Sequence, residues 1–263
     1  MSEGGVIAGL SNRIRAGQFS TTAWVGMAEP AIAELMVREG FDSAMLDMQH
    51  GAVDVASAIR AIGLVALADK PSIVRIPVGE FALASRMLDA GAAAIIAPMI
   101  NSVEDARKFA AFTKFPPIGE RSWGPHRAIA LSGLEHGAYL RSANDMHLSI
   151  AMIETREAMA SLDAILSTPG IDGVFVGPSD LSIALSSGSK LDPKGAEVDT
   201  ALTHVVARAK AHKKFASAFC FDGLGAKKLM ERGYLLCSVG TDSLLLRHAT
   251  RSELSVLKGQ LSS

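Results

Sequence analysis

Cysteine is almost missing from this sequence: Cys220 and Cys237 are the only two in 263 residues, and both sit in apolar runs. That excludes a disulfide framework and reads as two reduced, buried thiols in a cytosolic protein. An excess of one charge is missing too. Lys and Arg number 26 against 27 Asp and Glu, a formal net charge of −1, so there is no broad electrostatic case for nucleic acid or an anionic membrane as partner. No apolar run is long enough to cross a membrane. The opening MSEGGVIAGLSNRIRAGQ lacks an uninterrupted apolar segment of signal-peptide length, so a cytoplasmic location is expected. The 24 glycines and 10 prolines are scattered, which leaves no linker and predicts one domain over residues 1–263. No Gly-x-Gly-x-x-Gly follows the first strand-like run, so the dinucleotide fingerprint is absent. Lysine is missing from strand interiors. Lys70 and Lys214 precede strand-like runs, and the rest lie in helix-like or polar segments, which argues against Schiff-base chemistry.

What is present is a rhythm. Strand-like runs appear at 21–27, 43–48, 72–77, 93–99, 148–154, 173–178, 215–220 and 235–240. They are apolar nearly throughout and bounded by Gly, Pro or Asp, as strands of a parallel sheet are when both faces are covered. Helical patterns separate them, among them PAIAELMVREG, SVEDARKFAAFT and TREAMASLDAILS, several with Ser, Thr or Asp in a capping position. Eight β-then-α units in a chain of this length predict an α/β fold of the (β/α)8 barrel type, with its core over about residues 20–245. One connection, about 114–146, is too long for a simple turn; it carries Arg121-Ser-Trp-Gly-Pro and an extra helix, and loops of that length are usually functional.

In such a barrel the chemistry lies where strands end. The first strand passes Trp24; the second ends in Asp47, Gln49 and His50; the third carries Arg75; the fifth ends in Glu154; the sixth runs into Gly177-Pro178-Ser179-Asp180; the eighth leads to Gly240-Thr241-Asp242. Glu154 and Asp180 each follow an apolar strand on neighbouring barrel positions. Two carboxylates facing one mouth repel unless a cation lies between them or one is protonated, and an oxygen-only pair suits Mg²⁺ or Mn²⁺ better than structural zinc. The alternative for both is a helix N-cap. Arg75, between apolar residues, needs an anionic partner, either a structural ion pair or a substrate. Asp47 and His50 are spaced for a carboxylate–imidazole pair that would orient a general base. A tight turn at Ser179–Asp180 exposes backbone N–H groups to an anion, and the Gly240 turn raises the same possibility for a phosphate.

These residues resemble the HpcH/HpaI aldolases, the class II 2-keto-3-deoxy acid family. The matching motifs are Leu46-Asp-Met-Gln-His-Gly, Val74-Arg-Ile-Pro, Leu88-Asp-Ala-Gly, Ala97-Pro-Met, Gly119-Glu-Arg-Ser, Met152-Ile-Glu-Thr and Val176-Gly-Pro-Ser-Asp-Leu-Ser. The resemblance implies a barrel assembled as a homohexamer, with the last helix packed on a neighbouring subunit. It implies a divalent metal (Mg²⁺, Mn²⁺ or Co²⁺) on Glu154 and Asp180, with pyruvate held there and at the amides of Ser179 and Asp180. Arg75 would stabilise an enolate oxygen, and His50, paired with Asp47, would act as base through a water molecule. Asp89 would reach an adjoining subunit's site, while Trp24, Gln49 and Arg121 would shape the pocket. The expected reaction is reversible cleavage of a 4-hydroxy-2-oxo acid to pyruvate and an aldehyde. The alternatives are oxaloacetate decarboxylation at the same site, a metal-independent phosphosugar isomerase or epimerase using the Gly240 turn, and a non-catalytic barrel. Two departures stand out: Gln49 where many members have Glu, and Arg121-Ser-Trp-Gly-Pro where many have Arg-Gly.

Overall fold

Eight short apolar strands, each buried along nearly its whole length, have only one way to satisfy both edges: they close on themselves. The computed structural model describes residues 4–259. Its elements run α1 (Gly5–Arg15), β1 (Ser20–Val25), α2 (Pro30–Arg38), β2 (Ser43–Asp47), α3 (Val55–Leu67), β3 (Ser72–Arg75), α4 (Phe81–Asp89), β4 (Ala94–Ala97), α5 (Val103–Thr113), α6 (His126–Ser132), α7 (His136–Met146) and β5 (Leu148–Ile153). They continue α8 (Arg156–Ala160), α9 (Leu162–Leu166), β6 (Gly173–Val176), α10 (Pro178–Leu185), α11 (Ala196–Ala211), β7 (Phe215–Ala218), α12 (Gly223–Arg232), β8 (Leu236–Ser238) and α13 (Asp242–Leu257). All pairings are parallel and sequential, and β8 returns to β1, giving the closed (β/α)8 barrel.

Strand alternation divides the core into two layers. Met45, Ile73, Ile96, Ile150, Met152 and Phe175 point into the barrel, while Ala44, Leu46, Val74, Ile95, Ala151 and Val176 point out against the helices. Both layers are buried, so both alternating sets are mostly apolar with small hydroxyls such as Ser20, Thr22 and Ser43 among them, which explains the long apolar runs in the sequence. The helices start where their caps say they should. Asp54 and Ser57 form a reciprocal capping box on α3, and Ser102, Thr155, Asp222 and Thr241 accept first-turn N–H groups on α5, α8, α12 and α13.

Three features go beyond the sequence expectations. The N-terminal segment, read only for a signal peptide, is the amphipathic helix α1; its Leu10 and Ile14 plug the barrel's N-terminal end, and its Ile7 and Ala8 pack on Phe115, Ala128 and Tyr139. The segment TREAMASLDAILS is two short helices rather than one, because Ser161 closes α8 and opens α9. The long connection carries two helices, α6 and α7, folded under the same closed end. Helix α13 stands apart from the others: only Asp242 in it is buried, while Leu246, Leu254 and Leu257 are exposed.

Candidate active site

At the C-terminal end of the barrel, Asp47 and Arg75 are register partners on adjacent strands. Arg75 donates from Nε to Asp47 Oδ1 at 2.9 Å and from Nη2 to Oδ2 at 2.6 Å, and both residues are buried. Trp24 donates its Nε1–H to the same Oδ2 at 3.3 Å and lies under the guanidinium, 4.6 Å from ring centroid to Cζ. Burial alone would push the Asp47 carboxyl up. The Arg75 hydrogen bonds and charge, with the backbone N–H groups of His50 and Gln49, outweigh it and hold the group below its ordinary value.

This arrangement changes one expectation. Asp47 does not pair with the His50 imidazole; its Oδ1 accepts the backbone N–H of Gln49 at 3.0 Å and of His50 at 3.2 Å, and its remaining capacity goes to Arg75 and Trp24. The physical reason is reach: an arginine directly across the ladder offers two charged donors, and three residues of turn bring back the backbone rather than the ring. His50 therefore has its main chain pinned and its side chain exposed at the rim. Of the two readings open for Arg75, the structure shows the ion pair. Yet Asp47 takes only Nε and Nη2, so among the described residues Nη1 keeps no side-chain acceptor.

Across the mouth, Glu154 follows β5 and is 2 % exposed. Its Oε1 accepts the Met99 N–H at 2.8 Å. Met99 sits in the left-handed region at φ 55, a conformation a methionine rarely adopts and one that aims its amide at the acid. Gly177 lets this carboxylate sit close: a Cβ on it would lie 2.8 Å from Glu154 Oε2 and push the acid aside. Burial first, and the like charge of Asp180 after the opposing Met99 hydrogen bond, raise the Glu154 carboxyl above its ordinary value. Asp180 lies on the first turn of α10, exposed toward the mouth. Pro178 opens that helix and Gly177 offers no side-chain cap, so the N–H groups of Ser179 and Asp180 are first-turn donors without intrahelical acceptors. Neither Met99 nor the space requirement at Gly177 was readable as a functional signal, because both depend on the backbone path.

Asp89 and Arg121 do not join the mouth of their own barrel. Asp89 ends α4, and helices run back toward the strands' N-terminal end; Arg121 Nη2 donates to Asp89 Oδ1 at 2.6 Å there, its guanidinium stacked 4.6 Å above Phe115. The expectation that Arg121 lines the pocket is not met within one chain. Gln49 lies half-buried beside His50, and its Oε1 is buried without a protein partner. The Gly240 turn does not form an open anion cradle either. Its N–H groups are already taken: Gly240 donates to the Cys220 carbonyl at 2.8 Å, Ser243 to Asp242 Oδ1 at 2.7 Å and Leu244 to Thr241 Oγ1 at 3.2 Å, while Asp242 Oδ2 accepts the Gly26 N–H at 2.9 Å and the Met27 N–H at 2.8 Å.

Lysine chemistry can be placed as well. Burial lowers the Lys114 ammonium below its ordinary value, as an imine-forming lysine needs. But Lys114 lies at the closed end, gripped by Asp172 at 2.7 Å and by the carbonyls of Asn144 and His147, far from the strand ends that carry Glu154 and Arg75.

Among the described residues no three His, Cys, Asp or Glu side chains surround a common metal position. Glu154 and Asp180 alone fit an oxygen-ligated divalent ion of the magnesium type, which is ordinarily held by one or two carboxylates and completed by substrate and water. The donor set fits because a buried acid and an exposed one bear on each other, and the like charge of Asp180 adds to burial in raising the Glu154 carboxyl.

Named relatives are similar to this chain over most of its length. A hydroxypyruvate/pyruvate aldolase of Rhizorhabdus wittichii is 36 % identical over 236 residues, covering 89 % of this chain and 92 % of its own. A 4-hydroxy-2-oxo-heptane-1,7-dioate aldolase of Salmonella dublin is 33 % identical over 233 residues, covering 89 % and 88 %. A HpcH/HpaI aldolase/citrate lyase family protein of Burkholderia cenocepacia superposes with a TM-score of 0.85 at 29 % identity, over 95 % of this chain and 98 % of that one. The family model described as HpcH/HpaI aldolase/citrate lyase matches residues 20–249, from the first barrel strand into the last helix, and the chain belongs to that family.

Proposed function

We propose that this barrel is a divalent-metal-dependent aldolase that reversibly cleaves a 4-hydroxy-2-oxo acid to an aldehyde and a 2-oxo acid, pyruvate or hydroxypyruvate. The observation that carries the reading is the opposition of Glu154 and Asp180 at one rim, with a guanidinium across the mouth that its own carboxylate leaves partly free. Names of relatives that print both donors support the choice of 2-oxo acid.

When bound by Glu154 and Asp180, the ion supplies Lewis acidity toward the 2-oxo group. The first-turn N–H groups of Ser179 and Asp180 receive the substrate carboxylate, with the positive end of α10 behind them. His50, through an intervening water molecule, removes the proton of the 4-hydroxyl. The C4 oxygen becomes the aldehyde carbonyl as the C3–C4 bond breaks, and its electron pair moves to C3 and on to the C2 oxygen. Arg75 faces that developing negative charge. It is already oriented by Asp47 and Trp24, so its orientation is preset before the reaction begins. A proton delivered to C3 from solvent then completes the 2-oxo acid. Trp24 and Gln49 wall the donor side of the pocket.

Helix α13 supports self-association. Its exposed leucines leave an apolar stripe that its own barrel does not cover, and a homohexamer, with Asp89 and Arg121 placed beside a neighbouring mouth, fits that need. The functional test is pyruvate release from a series of 4-hydroxy-2-oxo acids, with and without EDTA. Turnover that magnesium restores after chelation is expected; full turnover in EDTA overturns the reading.

A further inference from the structure

The site described above leaves an unexplained weakness. The His50 side chain, like those of Asp180 and Gln49, has no hydrogen-bond partner among the described residues; its ring is exposed, and only its main chain is held. Its position depends on how firmly the Gln49–Ala52 turn is seated.

That turn leans on the segment after β1. Ala52 donates its N–H to the Gly26 carbonyl at 2.7 Å. Gly51 is pressed so closely against the same residue that a Cβ on it would lie 2.8 Å from Gly26 O and 2.9 Å from Gly26 Cα, and would overlap the Asp47 carbonyl. The Gly26–Met27 segment is in turn held from its other side. Asp242, the first residue of α13 and the only buried one in that helix, accepts both of its N–H groups through Oδ2. Its Oδ1 accepts the Ser243 N–H at 2.7 Å. A buried carboxylate thus ties three barrel corners together: the start of the last helix, the turn after the first strand and the turn after the second.

We propose that Asp242 is a positioning residue for His50, acting through Gly26 and Gly51 and touching no substrate atom. The proposal rests on the reading of His50 as the base that serves the 4-hydroxyl. Asp242 contacts neither Glu154, Asp180 nor Arg75 among the described residues, so ion and donor binding stand outside its reach. Asp242→Ala leaves two half-buried N–H groups without their acceptor and lets the turn drift, and misplacement of a catalytic group by about 1 Å can cost on the order of a hundredfold in rate. Asp242→Asn keeps an oxygen where Oδ2 stands.

The test uses the magnesium-loaded full chain. For D242A, kcat for aldol cleavage is expected to fall by roughly ten- to a hundredfold while the affinity for pyruvate, measured by calorimetry, changes by less than about twofold; D242N restores most of kcat. In a His50→Ala background, D242A is expected to add almost nothing, because coupled residues are non-additive. Gly51→Ala disturbs the same contact from the opposite side and is expected to give the same split, which keeps the test open should D242A fold poorly. A D242A loss of full size in the His50→Ala background, or one shared equally by pyruvate affinity, overturns the proposal. So does unchanged kcat. Full turnover by His50→Ala itself would sink the assignment of the base and this inference with it; a His50→Ala of reduced but measurable turnover with additive D242A sinks the inference alone.

Discussion

The two ends of the barrel use the same ingredients and reach opposite results. At the closed end, Lys114 is buried with three acceptors around its ammonium, Asp172 among them, and His147 bridges Tyr139 and the Ala92 carbonyl. At the mouth, Glu154 is as deeply buried, but it has one protein donor and a second acid for a neighbour. Charge at the first end is compensated within the chain. At the second positive charge is left in deficit, which a divalent cation would relieve, and the first-turn N–H groups of Ser179 and Asp180 are left for an anion bound beside it. Buried charge is therefore not itself a functional signal here; incomplete compensation is.

Substitutions sharpen that contrast, beginning with the largest effect. Glu154→Gln is expected to lower pyruvate release by about a thousandfold or more while leaving the melting temperature of the metal-free protein unchanged or higher, since it removes a charge the fold disfavours; a melting scan beside the assay checks both. Arg75→Ala is expected to cost roughly a hundred- to a thousandfold in turnover, through loss of stabilisation at the enolate oxygen, and to destabilise the fold as well by stranding Asp47. Near-normal pyruvate release by that variant would remove Arg75 from the chemistry. At the closed end the pattern inverts. Lys114→Met is expected to destabilise by about 3–5 kcal/mol, the usual cost of breaking a buried pair, with turnover per folded molecule intact. A urea titration followed by assay of the folded fraction distinguishes it from the mouth variants.

The smallest effect is a pH dependence. The Glu154 carboxyl is raised above its ordinary 4.5 in the folded chain. A raised acid binds its proton more tightly folded than unfolded, so its contribution favours folding at low pH and is lost as pH climbs from the unfolded value through the folded one. The melting-temperature difference between wild type and Glu154→Gln, without metal, should widen over that rise and close again on adding magnesium. Asp47 works in the other direction: its lowered pKa contributes stability above the ordinary 3.8 that disappears as pH falls through the folded value.

Much of this was legible in the sequence because parallel barrels write their strands plainly. Each of the eight apolar runs became a strand, and Glu154, Arg75, Asp47 and Asp180 arrive at one end because strand termini do. What stayed hidden was whatever depends on register or backbone path. The Asp47–His50 spacing looked like a side-chain dyad, but Asp47 faces Arg75 across the ladder, and only register shows it. The inverted amide of Met99 has no sequence signature at all. Helix α1 escaped notice since its apolar face is short, and Arg121 carried the right residue type at a place that topology sends to the far end.

The division of labour within the Arg75 guanidinium limits redesign. Two of its nitrogens are spent on the scaffold through Asp47, and a third, Nη1, has no side-chain acceptor among the described residues. An ammonium has no such fork. A lysine installed at 75 could anchor to the acid or reach for a ligand, but its single nitrogen could not hold both geometries, so any attempt to retune this barrel for larger or differently charged aldehydes has to work around position 75 and begin at the walls instead.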